Sequence, residues 1–469
     1  MWQIEIDPQY PVYQNIAKHI EKLILNEVLK PRDPLPSVRA LSRTLGVNKD
    51  TVVNAYEQLS NRGTIYKIPG KGTFVREFSD IGAIEAYPSK AATYPYDFTR
   101  SVISTDYFPV AAFKDSFERV LERDRGNAFT TEDSLGHLPL RQVILTHLEA
   151  MGVEASLSSV MIISGAQQGI DIVSRNLLTP KDHVFIENPT YQGASSYFKA
   201  MGVRLTGIGY RDQDLDLERL ETELKWYRPR LMYTMPNFQN PTGFSYSETT
   251  KQRLAALAEE YAFYIIEDDY TNEINYGNPV VPLKAYDTHQ RVIYIKSFSK
   301  ILIPGFRVSF IVMPPNLTRD LESIKAMTDL TTSGILQRAL ADFMAGEGYP
   351  SHIIKIHALF AKRMDKAYEF LTGYLPGGIE VIKPRGGISF WIRVPKGISA
   401  SKLLSEAQKE GVTFSLGSDF YLQGTPGKAG WIRLSFGGIE EELIEEGIRL
   451  LGRSMLKCIY EDKNKILID

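Results

Sequence analysis

One cysteine, Cys458, serves a chain of 469 residues, which excludes an intramolecular disulfide and any metal site built from several thiolates. Neither sign of charge is in excess: 54 basic residues stand against 56 acidic ones, and that argues against a protein whose whole surface coats nucleic acid. No apolar run approaches the roughly 20 residues that a membrane-spanning helix needs. The N-terminus has no basic-then-apolar leader pattern, so no membrane partner and a reducing cytoplasm are expected. Heptads, internal repeats and low-complexity tracts are missing as well. What is present is material for a large core, 43% hydrophobic with 11% aromatic residues, in a chain too long for one core to serve.

Charge is unevenly spread. Residues 1–78 carry eleven Lys/Arg against eight Asp/Glu, a mild basic bias. Tyr13, Ile16, Ala17, Ile20, Leu23 and Ile24 recur at helical spacing and predict a helix ending near Asn26. Leu35-Pro36-Ser37 stops the chain and caps a second helix with Val38, Leu41 and Leu45 on its apolar face, closed by Gly46. Asn48 is a natural N-cap for a third helix, with Val52, Ala55, Tyr56 and Leu59 inward and Lys49, Thr51 and Asn54 outward. Two short helices about a glycine turn predict a helix-turn-helix, the second helix entering the major groove. Ile65–Ile68 and Gly70–Val75 read as two strands around a glycine tip, a wing whose Lys67 and Lys71 reach phosphate.

The run Pro11–Val75, with LPSVRALSRTLGVNKDTVVNAYEQL and then GKGTFV, resembles the winged-helix DNA-binding domain of the GntR family. The resemblance implies DNA contacts at Ser37, Arg39, Lys49, Thr51, Lys71 and Gly72. It departs where Asn48-Lys49 replaces the usual Ser-Arg pair, because lysine lacks arginine's two-pronged donor fork.

Residues 79–97 lack periodicity and read as a linker. From residue 98 strand-like apolar runs alternate with helical ones, predicting an α/β domain with a largely parallel sheet and ligands at the strand ends. Those ends carry the chemistry. Ser164–Gly169 opens a helix whose free N–H groups can cradle a phosphate. Asn188-Pro189-Thr190-Tyr191 offers a ring to stack on a flat cofactor, and NFQNPTG puts Asn240 on a sharp turn. In Glu267-Asp268-Asp269-Tyr270 an acid can pair with a protonated ring nitrogen and the phenol with a ring oxygen. YIKSFSKILIPGFRVSF then presents Lys300 and Arg307 from a short, stiff segment, an amine for an aldehyde and a guanidinium for its phosphate.

In this order the elements resemble the fold-type-I, class I/II aminotransferases over nearly all of residues 98–460. The implied architecture is a pyridoxal-phosphate-binding domain (98–469) with a smaller C-terminal α+β subdomain. The implied cofactor is pyridoxal 5'-phosphate. Lys300 would be the Schiff-base lysine, Asp268 the partner of the pyridine nitrogen, Tyr270 and Asn240 the ligands of the ring oxygen, and Tyr191 the stacking ring. Ala166, Gln167, Ser297 and Arg307 would hold the phosphate. Pro384–Gly387 resembles the loop over the substrate, and Arg433, in Trp431–Phe436, the clamp of an α-carboxylate. The tyrosine that these enzymes commonly place ahead of Gly136 is missing from Thr130–Ser134.

A GntR-type head fused to such a domain resembles the MocR-type, GabR-like regulators. The resemblance implies a pyridoxal-phosphate-dependent transcription regulator that senses an amino compound or the cofactor, forms a head-to-tail homodimer and reads paired half-sites of double-stranded DNA. The alternative is a working aminotransferase with an accessory DNA-binding domain.

Overall fold

The computed structural model describes residues 2, 4, 11–25, 28–30, 33–61, 64–68, 72–75, 94–277, 279–302, 304–379, 381–395, 397–422, 425 and 430–466. The chain divides into two compact units, Met1–Ser89 and Lys90–Asp469.

In the first unit three helices, Val12–Leu25, Val38–Leu45 and Lys49–Asn61, enclose a small core of Ile16, Ile20, Leu41, Val52, Ala55 and Leu59. Burying each of these larger aliphatic side chains is worth about 1.5–3 kcal/mol. The Ser37 hydroxyl accepts the Ala40 amide at 3.2 Å and so starts the second helix. Gly46 ends it at φ 65°, a left-handed conformation that a side chain would strain. Tyr56 donates to the Pro36 carbonyl at 2.7 Å and fastens the third helix to the start of the second. The two strands of the wing, Ile65–Ile68 and Gly72–Val75, pair antiparallel. A third strand that the sequence did not signal, Pro34–Leu35, pairs with the far side of Gly72–Val75.

The second unit is built on a seven-stranded sheet in the spatial order Val160–Ile163, Ser309–Val312, Val292–Ser297, Tyr264–Asp269, Leu231–Thr234, His183–Glu187, Arg204–Ile208. Only Ser309–Val312 runs against the others. Except for the edge strand Arg204–Ile208 the strands are buried on both faces, which is why sequences such as Val160–Ile163, Leu231–Thr234 and Ser309–Val312 read as apolar runs. Because six strands share one direction, their carboxyl ends at Ile163, Glu187, Thr234, Asp269 and Ser297 lie along one edge. A smaller antiparallel sheet, Ser389–Arg393, Trp431–Ser435 and Ser415–Leu416, is flanked by the helices Gly348–Tyr374, Ala400–Lys409 and Glu441–Ile466. The predicted linker runs too far at its C-terminal end: Tyr96–Asp97 pairs parallel with Val412–Thr413. Residues 79–93 lie outside the described residues. No helix among the described residues is long and apolar enough to cross a membrane.

Candidate cofactor site and DNA-reading head

Asp268, the last residue but one of the strand Tyr264–Asp269, is buried. Tyr233, on the neighbouring strand, donates to its Oδ2 at 2.7 Å, whereas Oδ1 is buried without a hydrogen-bond partner. Burial raises the carboxyl to about 6. A buried acceptor left open costs about 1–3 kcal/mol, which a hydrogen-bond donor at this oxygen would recover. Lys300 sits half-buried in the turn after Val292–Ser297, and its ammonium is lowered to about 8, by burial first and then by Arg433 and Arg307. The fields of Asp268, Arg307 and Arg433 all reach this lysine, so four of the predicted residues converge.

Arg433 is buried, donates to Asn240 Oδ1 at 2.9 Å, to the Thr99 carbonyl at 3.0 Å and to Ser415 Oγ at 3.1 Å, and lies 4.8 Å from the centre of the Phe420 ring. The side chain expected at the ring oxygen, Asn240, therefore directs its own carbonyl to the expected carboxylate clamp. Tyr270, the other expected ligand of the ring oxygen, donates to the Phe238 carbonyl at 2.8 Å. Tyr276 holds the Pro384–Gly387 loop, its amide donating to the Arg385 carbonyl at 2.7 Å and its hydroxyl to the Gly387 carbonyl at 2.6 Å.

At the predicted phosphate cradle, Ala166 and Gln167 begin the helix Ala166–Leu177. Gly165 has φ 103°, and a Cβ there would lie 2.1 Å from the Arg307 guanidinium, so glycine is what lets Arg307 reach the cradle. Arg307 Nη2 donates to the Ser164 carbonyl at 3.4 Å, and Ser297 Oγ accepts the Ser299 amide at 3.2 Å. Tyr191 is 37% exposed, with its ring over Gly193.

Sequence reasoning passed over the residues that hold these groups in place. Glu187, fully buried, accepts Tyr246 at 2.6 Å, Thr234 at 2.8 Å and the Met235 amide at 3.0 Å, and its other oxygen accepts Gln239 at 3.1 Å. Gln239 also bonds Thr242 and the Pro189 carbonyl, bolting the Asn240 turn to the Asn188–Tyr191 segment. Gln168 accepts the Ser164 amide at 2.7 Å and donates to Asp329, which also accepts Ser164 Oγ at 3.0 Å. A polar residue inside an apolar strand, as Glu187 is, was the available signal, because such a group must be satisfied internally.

In the first unit Arg39 and Lys49 are exposed at the starts of the second and third helices, and Thr51 is half-buried. Ser37 is exposed but its hydroxyl is engaged in the cap. Gly72 opens the last strand, and Lys71 lies outside the described residues.

Two family models match the chain: "Aminotransferase class I and II" over residues 104–451 and "Bacterial regulatory proteins, gntR family" over residues 12–75. The HTH-type transcriptional regulator YdfD of Bacillus subtilis is 30% identical over 94% of this chain and 96% of its own length. The probable rhizopine catabolism regulatory protein MocR of Rhizobium meliloti is 28% identical over 97% and 96%. Among solved structures, the Pyrococcus horikoshii kynurenine aminotransferase in complex with PMP superposes with a TM-score of 0.74 at 31% identity, covering 81% of this chain and 99% of that one. With a gntR-type head, a class I and II aminotransferase domain and relatives of this kind along its whole length, the chain belongs to the MocR-type regulators within the class I and II aminotransferase family.

Proposed function

We propose that this protein is a DNA-binding transcription regulator that holds pyridoxal 5'-phosphate at Lys300 and responds there to an amino compound or to the cofactor itself. The observation that carries this reading is the open, buried Oδ1 of Asp268 beside Lys300, on a chain headed by a gntR-type reading unit. Bound pyridoxal phosphate supplies an aldehyde for amines and a ring that withdraws electrons. Asp268 would accept the ring N–H, with Tyr233 holding the carboxylate's other oxygen. Arg307 and the first turn of Ala166–Leu177 would hold the phosphate. Arg433 would receive a carboxylate, exchanging its bond to Asn240 for a two-pronged one. Ser37, Arg39, Lys49, Thr51, Lys71 and Gly72 are the proposed DNA contacts. A head-to-tail homodimer is part of the proposal, supported by the large apolar side chains Phe129, Met327 and Leu330 left exposed on the single chain.

Absorbance and footprinting test it. Full-length protein with added pyridoxal phosphate acquires a visible band that Lys300→Ala abolishes, and protection of DNA upstream of its own gene changes with pyridoxal phosphate or with one of a panel of amino acids. A colourless wild type, or protection that no condition alters, overturns it. A second reading, transamination, rests on Lys300 at about 8, an amine able to take and return a proton near neutrality. Multiple turnovers with an amino donor and a 2-oxo acid would establish that reading.

A further inference from the structure

The carboxyl ends of the parallel strands carry the proposed cofactor site, and their amino ends carry cations. His183 pairs in register with Arg204, and the Arg230 amide donates to the His183 carbonyl at 2.9 Å. Arg204, His183 and Arg230 therefore stand side by side on three neighbouring strands, the backbones of the two arginines about 10 Å apart. Tyr227 stacks on the His183 ring at 4.7 Å, and Trp226 next to it is 79% exposed. Lys181 joins the row through its amide, which donates to the Gly202 carbonyl at 3.1 Å, while Lys225 and Arg228 flank the two aromatic residues in sequence. All five cations are exposed.

Their surroundings set these cations apart. Residues 79–469 hold 43 Lys/Arg against 48 Asp/Glu, and other exposed cations of the large unit pair with acids, Arg211 with Glu218 at 2.6 Å, Arg253 with Glu221 at 2.8 Å and Lys457 with Glu406 at 2.7 Å. Among the described residues Lys181, Arg204, Lys225, Arg228 and Arg230 form no ion pair. The carboxylate in the row, Asp182, feels the field of Arg230, but its Oδ2 is taken by the Thr179 amide at 2.7 Å and hydroxyl at 2.8 Å. Burial and then Arg204 lower the His183 imidazolium, so the ring between the arginines is neutral at pH 7. Five cations against one acid thus gather at one edge of a unit that is acidic as a whole. We propose that this edge is a second DNA-contacting surface, in which Arg204 and Arg230 bind the phosphate backbone of double-stranded DNA, with Lys181, Lys225 and Arg228 at the margin and Trp226 and Tyr227 laid against the sugars. The proposal rests on the reading of the chain as a DNA-binding regulator. Backbone contacts carry no sequence information, so this surface adds affinity while the choice of sequence stays with the head.

Anisotropy of the full-length chain as a function of salt tests this, with a duplex from upstream of its own gene and a scrambled duplex of equal length. Each phosphate contact contributes about one to the slope of log affinity against log salt. The double variant Arg204→Gln/Arg230→Gln changes two exposed side chains. It is expected to flatten the slope by about two on both duplexes and to weaken binding by about tenfold or more near 0.1 M salt. Arg211→Gln/Arg253→Gln removes two paired cations from the same unit and is expected to leave the slope as it was. If the wild type binds but the first variant keeps its slope, or the second flattens it equally, this proposal alone is overturned. A wild type that binds neither duplex overturns the DNA-binding reading as well.

Discussion

Asp268 receives one hydrogen bond, from Tyr233, and keeps a buried oxygen without a partner, whereas Asp269, on the other face of the same strand, accepts Lys296, Tyr294 at 2.6 Å and the Asn272 amide at 3.1 Å. Adjacent, chemically identical side chains have been given opposite surroundings. The filled carboxylate belongs to the architecture, since everything around it is already matched. The half-filled one leaves a buried oxygen that an incoming donor would satisfy, which is what the proposed cofactor site asks of it.

The largest test of that contrast is stability. Asp269→Asn leaves Lys296 short of a counter-charge inside the protein and is expected to cost about 3–5 kcal/mol in denaturant unfolding. Asp268→Asn is expected to do the reverse in cofactor-free protein, because it removes a carboxylate that burial disfavours. If both substitutions destabilise equally, the contrast fails. The next test is pH. The folded value of about 6 exceeds the ordinary 3.8, so native protein binds more protons than unfolded protein between about 4 and 6, and Asp268 withdraws stability as pH rises through that window. The difference in unfolding free energy between wild type and Asp268→Asn should change by on the order of 3 kcal/mol from pH 4 to pH 7. Glu273 has the opposite sign: the stabilisation from its lowered carboxyl is present above about 4.5 and lost as pH falls toward 2. A flat wild-type-minus-variant profile would remove Asp268 from the account. The smallest effect is in the head. Arg39→Ala should weaken DNA binding about tenfold, a loss of roughly 1–2 kcal/mol as measured by anisotropy, while the visible band and both pH responses stay as they were. A shifted band would mean that the reading head and the cofactor site are not separable.

The first unit was legible because its helices obey a strict period and carry their stop signals in sequence, Ser37 and Gly46 above all. Pro34–Leu35 was not, since two residues show no alternation and only their pairing makes them a strand. In the large unit the unbroken apolar runs gave the strands, and the loops after them named the residues that converge at Lys300. Their supports were missed for one reason: Tyr233, Glu187 and Lys296 lie within runs read as core or as lead-in, and which buried group meets which is decided by register between strands distant in sequence. Lys296 in Val292–Ser297 was nonetheless a visible anomaly, a cation in a buried strand that calls for an anion nearby.

Thr99 stands only a few residues beyond 76–93, the span that joins the two units, and its backbone oxygen is held by Arg433 while its hydroxyl and amide are held by Asp97. The place where the large unit receives the chain from the reading head is therefore tied to the arginine proposed to greet the effector. Under the proposed function, an effector carboxylate at Arg433 would compete for the same guanidinium that holds the Thr99 oxygen at 3.0 Å, so the clamp and the entry of the chain into the large unit share one side chain.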